Sequence, residues 1–448
     1  MKNSLKIDSS RVLGELKPMN AVNNGPVRAP KAQARGNFDA YAAAGFPYAR
    51  LHDANLCYSY GGPHVVDITA IFPDFDADET NPASYDFLLT DRYLSNIVGA
   101  GTKVFYRLGQ SIEHWAKKYD IFAPKDFHKW ARICEHIILH YNEGWANGFH
   151  FDIEYWEIWN EPDLDPGQNS PCWQGTKEEF FDLFEITAKY LKGKFPHLKI
   201  GGPASAGFRQ YAVDFLTEME KRKVPLDFYS WHNYDQHPHH LGDKSVWLRE
   251  LLDSHGYTKT ESILNEWNYV RDWTDNWVYS LRAMQGLKGA SFATAVVCVS
   301  QDKPIDLLMY YDARIGTAMN GLFDLISLEP LKTYYSYLTF HEMTKLGKEV
   351  FSESDSDRIY SLAVSDGKMT ELLMTYYEED DNTPATEVSL QFETAEESEV
   401  AFYLTDEKHN MECVKKLTVP AGKQEMDLKL NLFDIYKIVI KPIKKDKT

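Results

Sequence analysis

The sequence predicts an α/β fold: a (β/α)8 TIM barrel over residues 11–346 followed by a β-sandwich domain over residues 347–448. Three observations carry that expectation. A chain of 448 residues exceeds one ordinary core and suits an α/β domain of about 250–300 residues plus a smaller one. Up to residue 346, eight short apolar segments alternate with amphipathic helical stretches, the rhythm of a parallel sheet covered by helices. Beyond it the chain changes to short alternating segments such as RIYSLAV, VSLQF and FDIYKIVIK, separated by Asp, Asn, Gly and Pro turns, as in a sandwich.

Taken in order, residues 1–10 are expected to lend the sandwich an added edge strand, Lys2–Asp8. The eight barrel strands are expected at 12–20, 47–53, 103–109, 153–160, 198–203, 227–234, 262–266 and 305–311, with helices at 125–142, 177–194, 209–223, 245–255 and 275–297. No glycine-rich phosphate fingerprint follows an early strand, which disfavours a doubly wound sheet. In a barrel, function gathers at the C-terminal strand ends. His52, Asp53, Glu161, His232, Tyr234 and Glu266 fall there. The closing KPIKKDKT is expected to be a solvated tail.

Composition excludes several classes. The chain is 44% hydrophobic and 25% charged, with no apolar run approaching the ~20 residues of a membrane span. A net charge of −18 repels polyanions, and no basic, aromatic-laced surface is encoded, so nucleic acid is not an expected partner. Five dispersed cysteines give neither a disulfide nor a zinc framework, which favours a reducing compartment. The start, MKNSLKIDSSRV, lacks the apolar stretch of a signal peptide; the expected location is the cytoplasm, or the periplasm or exterior if a leader precedes this sequence. No motif sets the oligomeric state.

Chemistry is carried by two carboxylates. In IEYWEIWNEP, Glu161 follows an apolar strand and precedes Pro162, which ends strand pairing. A carboxylate there must be paired or have a raised pKa, and a raised pKa is what a general acid needs. In ESILNEWNY, Glu266 closes predicted strand seven, 105 positions later. That spacing covers three βα units, so the two strands face each other across a closed barrel mouth. Glycoside hydrolysis uses such a pair, one as acid/base and one as nucleophile.

These segments, IWNEPDL and LNEWN, together with RLHD, GGPASA and DFYSWHNY, resemble glycoside hydrolase family 39 in the clan A barrel superfamily. That family contains β-xylosidases, α-L-iduronidases and related retaining enzymes. The resemblance implies Glu161 as acid/base and Glu266 as nucleophile, with Asn160 on the sugar 2-OH. It implies that Tyr234 and His232 line the nucleophile side and that Arg50 and His52 support the nucleophile and the sugar; Trp267 and Tyr311 are expected to complete the substrate-binding set. Glu161 is expected among Trp156, Trp159 and Pro162. At strand eight, where the family often has a Trp as the floor of the sugar site, LLMYYDAR offers Tyr310 and Tyr311.

The expected activity is therefore that of a β-xylosidase-like retaining hydrolase of oligo- or polysaccharides, with no metal and no cofactor. Another clan A glycosidase (arabinosidase, β-glucosidase or endo-acting) and a non-catalytic carbohydrate-binding barrel are the alternatives; retention of both Glu161 and Glu266 speaks against the latter. Other signals read as structural. His237, His239 and His240 near Asp235 are expected in a solvated loop, and His136 and His140 as packing. Asp74, Asp76 and Asp78 fail the calcium-loop pattern, with Glu79 where it needs Gly.

Overall fold

The computed structural model describes residues 2–28, 36–52, 65–110, 121–164 and 172–443; Asp53, Cys57 and residues 444–448 of the tail lie outside them. The strands of the first part are β1 (Asn3–Glu15), β2 (Ala21–Asn23), β3 (Tyr48–Arg50), β4 (Lys103–Leu108), β5 (Tyr155–Ile158), β6 (Lys199–Ser205), β7 (Phe228–Asp235), β8 (Glu261–Tyr269) and β9 (Leu307–Tyr310). Its helices are α1 (Phe38–Ala43), α2 (Ile68–Ile71), α3 (Leu88–Gly99), α4 (Phe127–Glu143), α5 (Lys177–Lys194), α6 (Arg209–Lys221), α7 (Pro238–Ser254), α8 (Trp277–Gln285), α9 (Leu287–Ser300) and α10 (Lys332–Thr344). Strands β2 to β9 close a parallel barrel in chain order, β2 pairing with both β3 and β9.

The first barrel strand is Ala21–Asn23, not the 12–20 segment. Residues 12–15 continue β1 along β10 (Lys348–Ser354), leaving Val12 and Leu13 54% and 51% exposed, whereas a barrel strand is buried on both faces, as Ala21, Val22 and Asn23 are. The histidine segment differs too: α7 begins at Pro238, so His239 and His240 lie in its first turn rather than in a loop. The expected 275–297 helix is two, broken at Gly286.

Alternation along the strands builds the barrel interior in layers. Ala21, Phe105, Tyr155, Phe228, Ile263, Leu307 and Met309 form an apolar plug with Tyr48 against it. Two positions further along β2, β3, β4, β5 and β8 stand Asn23, Arg50, Arg107, Glu157 and Asn265, all buried. A dry apolar floor thus carries a polar layer, and the mouth lies above it.

The second, mostly strand domain comprises β10, β11 (Ile359–Ser365), β12 (Thr370–Tyr376), β13 (Thr386–Thr394), β14 (Ser398–Thr405), β15 (Asn410–Val419), β16 (Gly422–Leu430) and β17 (Ile435–Pro442), together with β1. They form one continuous nine-stranded sheet ordered β15-β14-β17-β12-β11-β10-β1-β13-β16, wrapped around a single core in which Val388 and Leu390 of β13 meet Val400 and Phe402 of β14. The expected edge strand is an inner one: β1 pairs antiparallel with β10 and parallel with β13. Leu5 and Ile7 face that core. Helix α9 is buried on nearly every side because it lies between the two domains, Ser291 Oγ meeting Thr375 Oγ1 at 2.6 Å. Among the described residues no helix is long and apolar enough to cross a membrane.

An inner β1 makes a prediction. Leu5→Ala should cost about 2–5 kcal/mol, the usual loss for a fully buried leucine, while Val12→Ala on the exposed end of the same strand should stay within about 0.5 kcal/mol. Thermal and denaturant unfolding compare the two; equal losses would mean that β1 is not built into the core at Leu5.

Candidate active site

The chain leaves β5 along a strained path. Trp159 and Glu161 both take left-handed backbone angles, φ 72° and 47°, a conformation costly for residues with a Cβ and usually over-determined by its surroundings. Here it is held on two sides: Trp159 N–H donates to the Leu108 carbonyl at 2.7 Å and Glu161 N–H to the Ala204 carbonyl at 2.9 Å. Asp163 then clamps the turn to the end of β6, accepting from Ser205 Oγ and the Ala206 amide, each at 2.7 Å. The reversal sends the Trp159 ring outward against Trp130 and Trp173, and leaves Asn160 and Glu161 in the cleft.

On the opposite wall, the pairing register of β8 shifts between Leu264 and Trp267. Such a bulge lets successive side chains point the same way. Asn265 reaches Glu157 within the barrel and Glu266 reaches Arg50. Trp267 turns outward, against Phe292 of α9 and Tyr310.

Arg50, fully buried, organises the floor. Its Nε bonds Glu157 at 2.6 Å, one Nη bonds Glu266 at 2.8 Å and Asn23 Oδ1 at 3.1 Å, and the other bonds Asn160 Oδ1 at 2.6 Å. His52 Nε2 lies 3.0 Å from Glu266, and the Tyr234 hydroxyl donates to its second oxygen at 2.9 Å. His232 Nδ1 stands 2.6 Å from Glu161 and 3.5 Å from Glu266. Donor atoms of Glu161, His232 and Glu266 all lie within 4.8 Å of one another.

This environment splits the two carboxyls. Burial pushes Glu161 well above the usual carboxylate range, and the negative charges of Glu266 and Asp163 push it further. Burial also opposes charge on Glu266, but His232, His52 and Arg50 outweigh it and hold Glu266 well below that range. Burial lowers His232 to about 4, so the imidazole is neutral near pH 7 and Arg50 is the permanent charge facing Glu266. Burial beside Glu266 keeps Tyr234 a phenol, hence a donor. The site therefore drives its two carboxyls in opposite directions, Glu161 toward the acid and Glu266 toward the anion.

The structure brings Arg50, His52, Asn160, Glu161, His232, Tyr234 and Glu266 into one cluster, with Tyr311 beside it, its ring 5.4 Å from His52 and 6.3 Å from Tyr234. It does not bring Trp267 there. Nor do Trp156 and Trp159 surround Glu161: Trp156 stacks outward on Tyr106, so buried carboxyl neighbours take the place of the expected apolar ones. Sequence reasoning passed over Glu157, Asn265 and Asn23, although the alternation that aligns Tyr155 with Glu157 and Phe105 with Arg107 could have found the polar layer. Glu161, His232 and Glu266 are also the one donor group among the described residues that could converge on a cation, but Arg50 already supplies positive charge to Glu266. His237 and His240 serve α7 instead, His240 capping Asp235 at 3.1 Å.

The chain is 28% identical over 221 residues to a β-xylosidase from Geobacillus stearothermophilus, a match covering 46% of this chain and 40% of the relative. Thus the matched part spans about two fifths of that relative's length. The structure overlays a glucosidase from Croceicoccus marinus with TM-score 0.81 at 19% identity, covering 99% of each chain. It overlays a β-xylosidase from Caulobacter crescentus CB15 with TM-score 0.73 at 14% identity, covering 98% of this chain and 100% of the other. A family model matches residues 40–303, more than half of the 448, and the chain belongs to that family, glycosyl hydrolases family 39.

Proposed function

We propose that the protein is a retaining glycoside hydrolase acting on oligo- or polysaccharides, β-xylosidase-like in its sugar preference. One observation carries the reading: two strand-end carboxyls, with oxygens within 4.8 Å, sit in surroundings that shift them in opposite directions, Glu161 up and Glu266 down. Retaining enzymes place the pair about 5–5.5 Å apart, leaving no room for a water between acid and nucleophile. Family membership and the β-xylosidase relative support the sugar class.

In this reading Glu266 attacks the anomeric carbon while Glu161 gives its proton to the departing glycosidic oxygen, forming a glycosyl-enzyme. Glu161, then ionised, takes a proton from water as that water attacks the same carbon from the face the leaving group vacated; the bond to Glu266 breaks, its carboxylate is released, Glu161 is again the acid, and configuration is retained. Arg50, His52 and Tyr234 hold Glu266 as the anion and aim it. Asn160 Oδ1 is occupied by Arg50, while its buried Nδ2 has no hydrogen-bond partner among the described residues. That free amide N–H is the donor for the sugar 2-OH. His232 orients the acid at 2.6 Å, and Tyr311 contributes ring surface.

Three outcomes test the roles. Wild type should release p-nitrophenol from at least one aryl glycoside of a panel that includes the β-xyloside. Glu161→Ala and Glu266→Ala should each lose at least about a thousandfold in kcat. Azide should rescue Glu266→Ala as a glycosyl azide of inverted configuration and Glu161→Ala as one of retained configuration; activity unaffected by either substitution would place the chemistry elsewhere.

The pH profile of kcat/KM should be a bell. Its acid limb, from Glu266, should lie below the ordinary carboxylate range and its alkaline limb, from Glu161, above it. In Glu161→Gln, assayed with p-nitrophenyl substrates whose leaving group needs no proton, the alkaline limb should vanish. If it persists, another group supplies the acid.

Stability carries the same signature. Glu161 has a folded pKa above its unfolded one, so its contribution is most favourable below the ordinary carboxylate range and worsens as pH rises toward the folded value. Gln does not titrate. Glu161→Gln should therefore gain stability over wild type with rising pH, by up to about 1.4 kcal/mol per pH unit across that window; a gap independent of pH would show that the Glu161 pKa is unshifted.

A further inference from the structure

The loop from β8 to α8 presents a tryptophan to solvent at the mouth of the barrel. Trp273 is 55% exposed, which is unusual for the largest apolar side chain unless something covers it. Its position is not accidental to the site. The ring meets Tyr234 edge-on, centroids 5.1 Å apart at 78°, and Tyr234 is the phenol that donates to Glu266. With Tyr311 it extends the aromatic wall beside the catalytic carboxyls outward by one ring.

The ring is also held in advance of any ligand. Trp277, in the first turn of α8, stacks on it at 5.0 Å and 27°. Asp272, the preceding residue, accepts from the amides of Thr274 and Asn276, each at 2.9 Å, and so fixes the turn. On the other side Arg271 is anchored to Glu379 of the second domain at 2.6 Å. A wide apolar surface that is exposed, immobilised and continuous with the reacting groups is the arrangement that stacks against the C–H face of a pyranose, with little ordering cost on binding.

We propose that Trp273 is a sugar-stacking platform for the glycone, the ring that becomes attached to Glu266. It rests on the hydrolase reading above. The side follows from the contacts: Trp273 joins the site through Tyr234, which bonds Glu266, whereas the leaving group departs toward Glu161 on the facing strand end. Trp273 does not touch the reacting atoms, so its removal weakens binding of the sugar more than it slows the chemistry.

The test uses p-nitrophenyl glycosides of D-xylose, D-glucose and L-arabinose, with the corresponding free monosaccharide as competitive inhibitor. For the glycoside wild type cleaves best, Trp273→Ala should raise KM and the monosaccharide Ki together, by about tenfold, with kcat changed less than about threefold, and Trp273→Phe should recover much of both. A rise in KM with an unchanged Ki would put the ring on the leaving-group side and overturn the proposal, as would unchanged KM and Ki. Absence of any wild-type cleavage would instead refute the hydrolase reading. Trp273 is exposed, so both variants should fold; circular dichroism and melting temperature equal to wild type verify this.

Discussion

The Arg50 guanidinium is the interaction on which the site depends. It is wholly buried, and its donors reach β2 through Asn23, β5 through Glu157, the turn after β5 through Asn160 and β8 through Glu266. A buried cation of this kind is costly unless every donor is satisfied by well-placed acceptors. The planar fork of arginine meets that demand in several directions at once, as a lysine cannot. One side chain therefore makes the spacing of opposite barrel walls and the charge state of Glu266 a single problem. If β3 moved, Glu157 and Glu266 would lose the same counter-charge together.

The remaining asymmetry follows from what Arg50 does not touch. It bonds Glu266 and Glu157 directly, but reaches the turn carrying Glu161 only through Asn160. With the Arg50 donors committed to Glu157 and Glu266, Glu161 is pushed up by burial and by the charges of Glu266 and Asp163. His232, lowered to about 4 by burial, bridges the two, 2.6 Å from Glu161 and 3.5 Å from Glu266. The opposite shifts of the two carboxyls are thus consequences of one geometry rather than two independent adjustments.

Much of this was legible in the sequence, and the exceptions have physical causes. Strands 103–109, 227–234 and 305–311 were visible because buried parallel strands read as apolar runs, and helix Lys177–Lys194 because its apolar residues recur at helical spacing. The first barrel strand was missed because three residues carry too little pattern and the longer apolar run before it, 12–20, competes; only contact with β10 decides that residues 12–15 belong elsewhere. The cluster around Glu161 and Glu266 was legible because strand ends are positions that topology brings together. Trp267 was misplaced because strict alternation fails at the β8 bulge, and a bulge depends on what the neighbouring strands leave room for. Glu157 was overlooked because its partner, Arg50, stands 107 residues earlier in the chain.

The second domain completes the wall that holds Glu266. Tyr269, three residues beyond Glu266 on the same strand, turns outward and donates to Glu379 at 2.9 Å. Glu379 also binds Arg271 at 2.6 Å and Lys288 of α9 at 3.1 Å, and Lys288 adds Asp381 at 2.9 Å. The Tyr377 hydroxyl reaches the carbonyl of Gln236 just past β7 at 2.7 Å. In a barrel, the outer face of each strand is closed by the helix that follows it. After β8 that helix, α8, is only nine residues long, and the load passes to α9 and to the segment between β12 and β13. Because β7 and β8 carry His232, Tyr234 and Glu266, a sheet packed behind them limits how far those side chains can drift. A site whose two carboxyls differ only through ångström-scale placement needs that limit, which is a physical reason for one chain to fold its first and last strands into the same sheet.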